Sequence, residues 1–384
     1  MAQMIIAVKK FAILCHRWMG VTFCVLFAWW FWSGIFMMYW DYPSVSQSDR
    51  LERALSLDAS KIQLSPADAW TRSGQDGSPG GVTLTVFDGR PVYRFAAGGR
   101  DGRRRGGSMI VYADDGTIQS GYRDDLLLRM AAAWTRQPPS AAKIEEVTEA
   151  DQWTIEMRNR LPLTKYSFPD GQQVYMSKPT GEILQYTTTG SRIGAYLGPI
   201  PHWIYYTPLR VQQELWSNLI IYASGIGTIV ALLGLVVGIW MYSPSKKYRF
   251  EGSPTSIPYS GQKRLHMILG LFFGIITCTW AFSGMLSMDP PFLTERRPPP
   301  APGGARERGG GSVAAKIQGA LRPSSLDLSA YEAKPPQAAL AQLGALPVKE
   351  LELTSFDGEP VYSAAVGSPG NTNHSRAWGS QAGL

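Results

Sequence analysis

Three long stretches without a charged residue constrain this chain more than any other feature. No Asp, Glu, Lys or Arg occurs from Trp18 to Trp40, from Leu219 to Tyr242 or from Leu265 to Met288, which are stretches of 23, 24 and 24 residues. A helix of about 20 apolar residues crosses a hydrocarbon core about 30 Å thick. We therefore predict three membrane-spanning helices. The first is expected to be retained, because its apolar stretch is longer than that of a cleaved signal peptide.

Basic residues near the ends of these stretches predict the orientation of the chain. Lys9, Lys10 and Arg17 precede the first span, and five Lys and Arg residues lie in the loop 243–264. Such residues tend to stay on the cytoplasmic side of a membrane. The pattern predicts a multi-pass protein of the bacterial inner (cytoplasmic) membrane, with a cytoplasmic N-terminus and a large periplasmic domain.

The apolar stretches and the composition between them predict the following organisation. It comprises a cytoplasmic N-terminus (1–10), a first span (11–40), a periplasmic region (41–216), a second span (217–242), a cytoplasmic loop (243–264), a third span (265–288), a Pro/Gly-rich linker (289–322), a partial module (323–365) and a disordered tail (366–384).

An internal repeat links the spans to the regions that follow them. At an offset of 250 residues, the third span matches the first at His16 and His266, Gly20 and Gly270, Trp30 and Trp280, and Ser33-Gly34 and Ser283-Gly284. At an offset of 269, residues 84–93 match residues 353–362, and each segment contains an Asp-Gly pair. We interpret the repeating unit as a span with the exported module behind it.

The sequence of each exported module predicts a helix followed by a hairpin. Prolines predict helices that start near 66 and 336, because proline fits the first turn of a helix. Alternating apolar residues at 82–87 and 91–95 flank Asp88-Gly89, a pair typical of a tight hairpin turn. A further hairpin is predicted at 166–175, which places two modules at about 55–122 and 141–187.

These spans and modules, together with the Pro-His-Trp-Ile-Tyr-Tyr-Thr-Pro-Leu-Arg segment at 201–210, resemble the PepSY-associated transmembrane helix family of bacterial membrane proteins. The resemblance implies an α+β membrane protein, in which a three-span helical bundle carries exported PepSY-like α+β modules. Some relatives are haem-containing ferric-siderophore reductases or are iron-regulated, which implies a link to iron. The repeat also predicts a fourth span after 323–365, yet no apolar stretch follows, so we expect a truncated copy or a tail out of register.

Histidines within spans suggest where a cofactor would bind. A polar ring in hydrocarbon usually faces a partner or a cofactor, and His16 and His266 occupy equivalent positions on helices that run in the same direction. Two neutral imidazoles at one depth are the ligands of a haem b. His202 is a weaker candidate for an outer haem, since its repeat partner is missing and His374, in the tail, is a poor substitute. The alternative is that His16 and His266 are interfacial anchors that bind no metal.

Two functions remain open from the sequence. The first is electron transfer through haem b to ferric iron or a siderophore, as in a membrane ferric reductase. The second is a non-catalytic membrane-anchored module that binds or regulates an exported partner, such as a peptidase or an iron-uptake system. No nucleotide-binding motif occurs, and the glycine-rich basic run at 98–107 favours a solvated turn over a nucleic-acid site. The predicted partners are thus the lipid bilayer with a ferric siderophore or an exported protein, and the oligomeric state stays open.

Small and aromatic residues of the spans have predicted packing roles. Trp30 and Trp280 are expected to form an inward-facing pair because they are equivalent in the repeat. The Ser33-Gly34 and Ser283-Gly284 steps, with Gly234 and Gly238, are expected to allow close contact between helices.

Overall fold

A computed structural model describes residues 2–96, 109–291, 293, 326–356 and 359–367. The chain divides into a helical unit, formed by Met1–Tyr42 with Gly190–Arg297, and an α+β unit, formed by Pro43–Thr189 with Pro298–Leu384. Almost all of the predicted linker 289–322, the Asp357-Gly358 turn and the predicted tail beyond residue 367 lie outside the described residues.

Among its described residues, the helical unit contains three helices that are long and apolar enough to cross a membrane. They are α1 (Ala2–Met37), α8 (Gln213–Met241) and α9 (Gly261–Leu286), and they confirm the prediction of three spans. α1 begins before the predicted start at residue 11, because Lys9 and Lys10 favour helix and continue it beyond the apolar stretch. Its 36 residues correspond to a length of about 54 Å.

Three short helices, α5 (Thr189–Leu197), α6 (Pro199–His202) and α7 (Thr207–Arg210), precede α8. α6 packs against α1. This close approach requires a glycine at position 198, since a Cβ there would lie 3.2 Å from the Met37 backbone nitrogen. A hairpin of β8 (Tyr248–Phe250) and β9 (Ser253–Thr255) connects α8 to α9.

Glycines allow α8 and α9 to pack closely, and α8 also contacts α1. A Cβ on Gly238 would lie 3.0 Å from Leu271 Cδ2, and one on Gly274 would lie 3.3 Å from Leu235 Cδ1. Small residues serve this purpose in membrane helices because they bring the backbones together. The predicted packing role of Gly238 is confirmed.

In the residues that the structure describes, the α+β unit contains four α-helices and two antiparallel sheets. The helices are α2 (Gln47–Arg53), α3 (Pro66–Arg72), α4 (Asp124–Thr135) and α10 (Pro336–Leu343). The strands are β1 (Gly81–Phe87), β2 (Arg90–Ala96), β3 (Met109–Tyr112), β4 (Lys143–Val147), β5 (Leu163–Ser167), β6 (Gln173–Met176), β7 (Ile183–Thr187), β10 (Val348–Phe356) and β11 (Glu359–Val366). One sheet has the order β11-β10-β1-β2-β3, and the other has the order β4-β5-β6-β7.

The hairpin of β1 and β2 has the predicted turn. Asp88 and Gly89 have φ angles of 47° and 78°, and positive φ at both central residues matches the right-handed twist of the strands they join. The predicted hairpin at 166–175 is also present, as β5 paired with β6. The helices predicted near 66 and 336 begin at Pro66 and Pro336.

The hairpin of β10 and β11, which lies in the predicted partial module at 323–365, does not form a sheet of its own. Instead, β10 pairs with β1 and extends the sheet of the first module. This pairing satisfies the backbone groups along β1 that would otherwise form an open sheet edge. The described residues of 55–122 and 323–365 therefore contribute to one five-stranded sheet.

The two hairpins of this sheet are related by an approximate two-fold axis. Thr83 lies opposite Glu352, the residue 269 positions later. Two backbone hydrogen bonds repeat the relation, because Leu57 N donates to Val348 O at 2.8 Å and Leu326 N donates to Pro79 O at 3.0 Å. Each donor and each acceptor is 269 residues from its counterpart, so the segments exchange equivalent contacts.

Each sheet has its own apolar core. Buried residues of both hairpins, including Leu84, Tyr93, Leu351 and Leu353, form a single cluster against the five-stranded sheet. A second cluster contains buried residues of α4 and of the four-stranded sheet. The five-stranded sheet therefore depends on chain segments more than 250 residues apart.

Candidate functional site

His16 lies halfway along α1 and faces α8. Its Nδ1 is 3.1 Å from the backbone oxygen of Val230. A Cβ on Gly234 would lie only 2.5 Å from His16 Cε1. The absence of a side chain at position 234 thus allows the His16 ring to rest against the α8 backbone.

His266 lies near the start of α9, with its ring beside that of His16. The two ring centroids are 6.1 Å apart, and the ring planes are inclined by 29°. The structure therefore brings together the two histidines that the sequence singled out.

Open space lies one helical turn beyond each histidine. Gly20 follows His16 by four residues, as Gly270 follows His266, so each glycine is on the same helix face as its histidine. A Cβ on either glycine would meet no atom within 4 Å outside its own helix. At each glycine, the helix face that carries the histidine is therefore open at the scale of a methyl group.

The contact with Val230 decides which nitrogen of His16 is available as a ligand. A carbonyl oxygen can only accept a hydrogen bond, so Nδ1 carries the proton and Nε2 keeps its lone pair. Histidines that bind metals usually donate their second N–H to such a backbone oxygen. A metal–imidazole bond is about 2 Å long, so two imidazoles on one metal have centroids about 6 Å apart. The donor set and the ring separation both suit a bis-histidine haem.

His202, on α6, is held at a different level of the helical unit. Its Nδ1 is 3.1 Å from Trp30 O and 3.1 Å from Ser33 Oγ. Trp30 is 14 residues beyond His16 on α1, which corresponds to about 20 Å along the helix. His202 is therefore remote from the His16–His266 pair, and His374 lies outside the described residues.

The Ser33-Gly34 step of α1 contacts His202 of α6, in agreement with its predicted role in close contact between helices. Ser33 Oγ donates to Trp29 O at 2.8 Å, and a Cβ on Gly34 would lie 3.4 Å from His202 Cε1. Burial lowers the pKa of His202, because a low-dielectric environment disfavours the charged imidazolium. Burial therefore favours the neutral form of the His202 ring.

An aromatic cluster lies beside His202. The Trp30 and Trp280 rings meet edge to face with centroids 5.8 Å apart, and Trp280 also stacks on Phe31 at 5.1 Å. The His202 ring is 6.1 Å from that of Trp280. Trp30 is only 5% exposed, which confirms the prediction of an inward-facing tryptophan pair.

Two contributors to the site were missed from the sequence. The Val230 carbonyl carried no signal, because any residue supplies a backbone oxygen. Gly234 was visible as a small residue within a span, but its partner is His16 rather than a neighbouring apolar side chain.

The fold and the spans define the class of this chain as an α+β membrane protein with three candidate spans. Residues 13–346 match the family described as the PepSY-associated TM region. The chain belongs to that family, as the resemblance in its sequence implied. Comparison with curated proteins and with solved structures found no match.

Proposed function

We propose that this protein holds one haem b between His16 and His266 and transfers electrons across the membrane to ferric iron or a ferric siderophore. The proposal depends on one observation above all, the 6.1 Å separation of the two imidazole rings. Equivalent residues of two spans supply both rings, so both candidate haem ligands would be imidazoles.

The surrounding residues would position the haem rather than react. Val230 O orients His16 through Nδ1, and Gly234 admits the ring. Gly20 and Gly270 leave space beside the ligands. A bound haem would supply a one-electron redox centre, which none of the side chains present at this site provides.

Basic residues support an orientation in which electrons enter near the paired histidines. Lys9 Nζ lies 5.7 Å from the Trp240 ring centroid, so the start of α1 is near the end of α8. Lys246 and Lys247 follow α8 at this same end. Because basic loops favour the cytoplasmic side, we assign this end to the cytoplasm and the α+β unit to the periplasm.

An absorbance spectrum tests the proposal directly. The detergent-purified chain from a haem-replete host is expected to show a Soret band, a low-spin b-type spectrum after dithionite reduction, and one extractable haem per chain. A haem-free protein would contradict the proposal and favour the binding-module function.

Gly234→Ala is expected to weaken haem binding by about tenfold, in line with the loss of an outer contact that orients a metal ligand. The added methyl would overlap the His16 ring, and the ring would have to turn away from Val230. The measurement is haem affinity by titration of the haem-depleted protein. Gly238→Ala is the matched control, because it adds the same methyl to α8 against Leu271, and equal losses in both variants would argue against a role for Gly234.

A further inference from the structure

A groove of about 520 Å³ lies between α8 and α9, at the end where the hairpin of β8 and β9 joins the two helices. Its lining combines Tyr242 and Ile257, which flank that hairpin, with apolar side chains of both helices, among them Ile239, Ile268, Leu271 and Phe272. Ile268 and Phe272 are 42% and 74% exposed, so the groove is open along the helix surface. Its size is within the range of ligand pockets, about 300–1,000 Å³.

The lining of this groove restricts the class of ligand. Apart from the Tyr242 hydroxyl, no side chain of the lining can form a hydrogen bond. Polar ligands are usually oriented by a few placed polar groups, and an extended peptide in such a groove would leave its own N–H and C=O groups unpaired. A hydrocarbon chain has no polar group to satisfy. Because α8 and α9 are candidate membrane spans, lipid acyl chains are the hydrocarbon chains with access to the groove.

A shared hydrogen-bond acceptor holds Arg264 beside the groove. Thr255 Oγ1 accepts hydrogen bonds from Arg264 Nη1 at 3.0 Å and from the backbone nitrogen of Ile257 at 3.3 Å. These bonds place the guanidinium next to a residue of the groove lining. On α9, Arg264 also precedes Ile268 by four residues, so both lie on the same face of the helix.

The Arg264 guanidinium has unused donors and no ionic partner. A guanidinium has five N–H donors, and the bond to Thr255 uses one of them. None of the ion pairs between described residues involves Arg264. The loop 243–264 contains a single carboxylate, that of Glu251, and four further basic residues, which are Lys246, Lys247, Arg249 and Lys263. The loop at this end of the groove therefore has a net positive charge.

We propose that the groove binds one anionic phospholipid. One acyl chain lies along the apolar side chains of α8 and α9, and the phosphate accepts hydrogen bonds from Arg264. The planar fork of a guanidinium matches the oxygens of a phosphate, and basic pockets between membrane helices bind anionic headgroups. The positive charge of the loop favours phosphatidylglycerol, which is anionic, over phosphatidylcholine, which is zwitterionic. The site does not depend on a haem between His16 and His266.

Native mass spectrometry of the detergent-purified full chain tests this proposal. The probes are phosphatidylglycerol and phosphatidylcholine with identical acyl chains. One tightly held phosphatidylglycerol per chain is expected, with an affinity about tenfold higher than that of phosphatidylcholine. Glycerol 3-phosphate, which has the phosphate but no acyl chain, is expected not to displace the lipid.

Two pairs of variants separate the headgroup contact from the groove. Arg264→Gln is expected to lower the affinity for phosphatidylglycerol to that for phosphatidylcholine. Arg249→Gln is its matched control, because it removes the same charge from the same loop at an exposed residue of β8, and it should keep the preference. Leu269→Trp fills the groove that Leu269 lines and should weaken the binding of both lipids. Ile275→Trp, at a 61% exposed residue of α9 outside the lining, should not.

Four results would overturn the phospholipid site. Equal affinity for the two lipids would remove the headgroup preference, and equal losses in Arg264→Gln and Arg249→Gln would mean that the loop attracts anions without a built site. Unchanged binding in Leu269→Trp would place the acyl chain elsewhere. Displacement by glycerol 3-phosphate would assign the basic end to a soluble anion. Since lipid binding is measured rather than haem content or turnover, each result can be obtained whether or not haem is found.

Discussion

His16→Ala is expected to lower the haem content of the purified protein by more than tenfold, and His266→Ala is expected to do the same. Each substitution removes one of the two imidazoles whose rings are 6.1 Å apart. Loss of a direct ligand should exceed the roughly tenfold to hundredfold effect of losing an outer contact. Haem per chain and the reduced-minus-oxidised spectrum are the measurements.

His202→Ala is the control for this pair. It replaces the same residue type on α6. His202 contacts Trp30, which lies about 20 Å from His16 along α1, so the low-spin spectrum of the inner haem should persist. If the spectrum survived in both His16→Ala and His266→Ala, the haem would have other ligands. If haem were lost equally in all three variants, general destabilisation would explain the result.

Leu351→Ala is expected to destabilise the five-stranded sheet by about 2–5 kcal/mol, the usual cost of removing a fully buried leucine side chain. Leu351 is 0% exposed and lies opposite Leu84 in the pairing of β10 with β1. The loss of stability should also affect β1, which is far away in sequence, because β1 pairs with β10. The measurement is hydrogen exchange of the β1 peptide in the full chain, which should become faster.

Leu346→Ala provides the matched control in the same segment. Leu346 is 55% exposed, so its truncation removes little buried surface and should leave exchange in β1 unchanged. Slow exchange of β1 in Leu351→Ala, equal to that of the control, would mean that the sheet of the first module does not need the hairpin of β10 and β11.

Much of the fold could be predicted from the sequence because its signals are local. Charge-free length predicts a span, and two-residue alternation around Asp88-Gly89 predicts a hairpin. The repeat also identified His16 and His266 as one pair. Local pattern predicted β2 as a partner of β1 but not β10 as the second, since an antiparallel strand of suitable apolar alternation can pair with many others.

At the candidate site, too, the residue types could be predicted from local sequence but their contact partners could not. Histidine inside an apolar stretch is recognisable wherever it occurs, but its hydrogen-bond partner is not. The Val230 carbonyl reaches His16 across 214 positions, and Ser33 reaches His202 across 169. Such contacts depend on how helices pack, and the packing surface is a property of several segments together.

The sequence by itself determined the class of protein, the three apolar helices, the hairpins and the histidines, because each is encoded in the spacing of residues along one segment. Only the tertiary structure decided that β10 pairs with β1, that the His16 ring packs against Gly234, and that Ser33 and Gly34 contact His202. Those choices arise from surfaces that meet over distances of 160 residues or more in the chain, where shape and hydrogen bonding rather than local periodicity determine the partner.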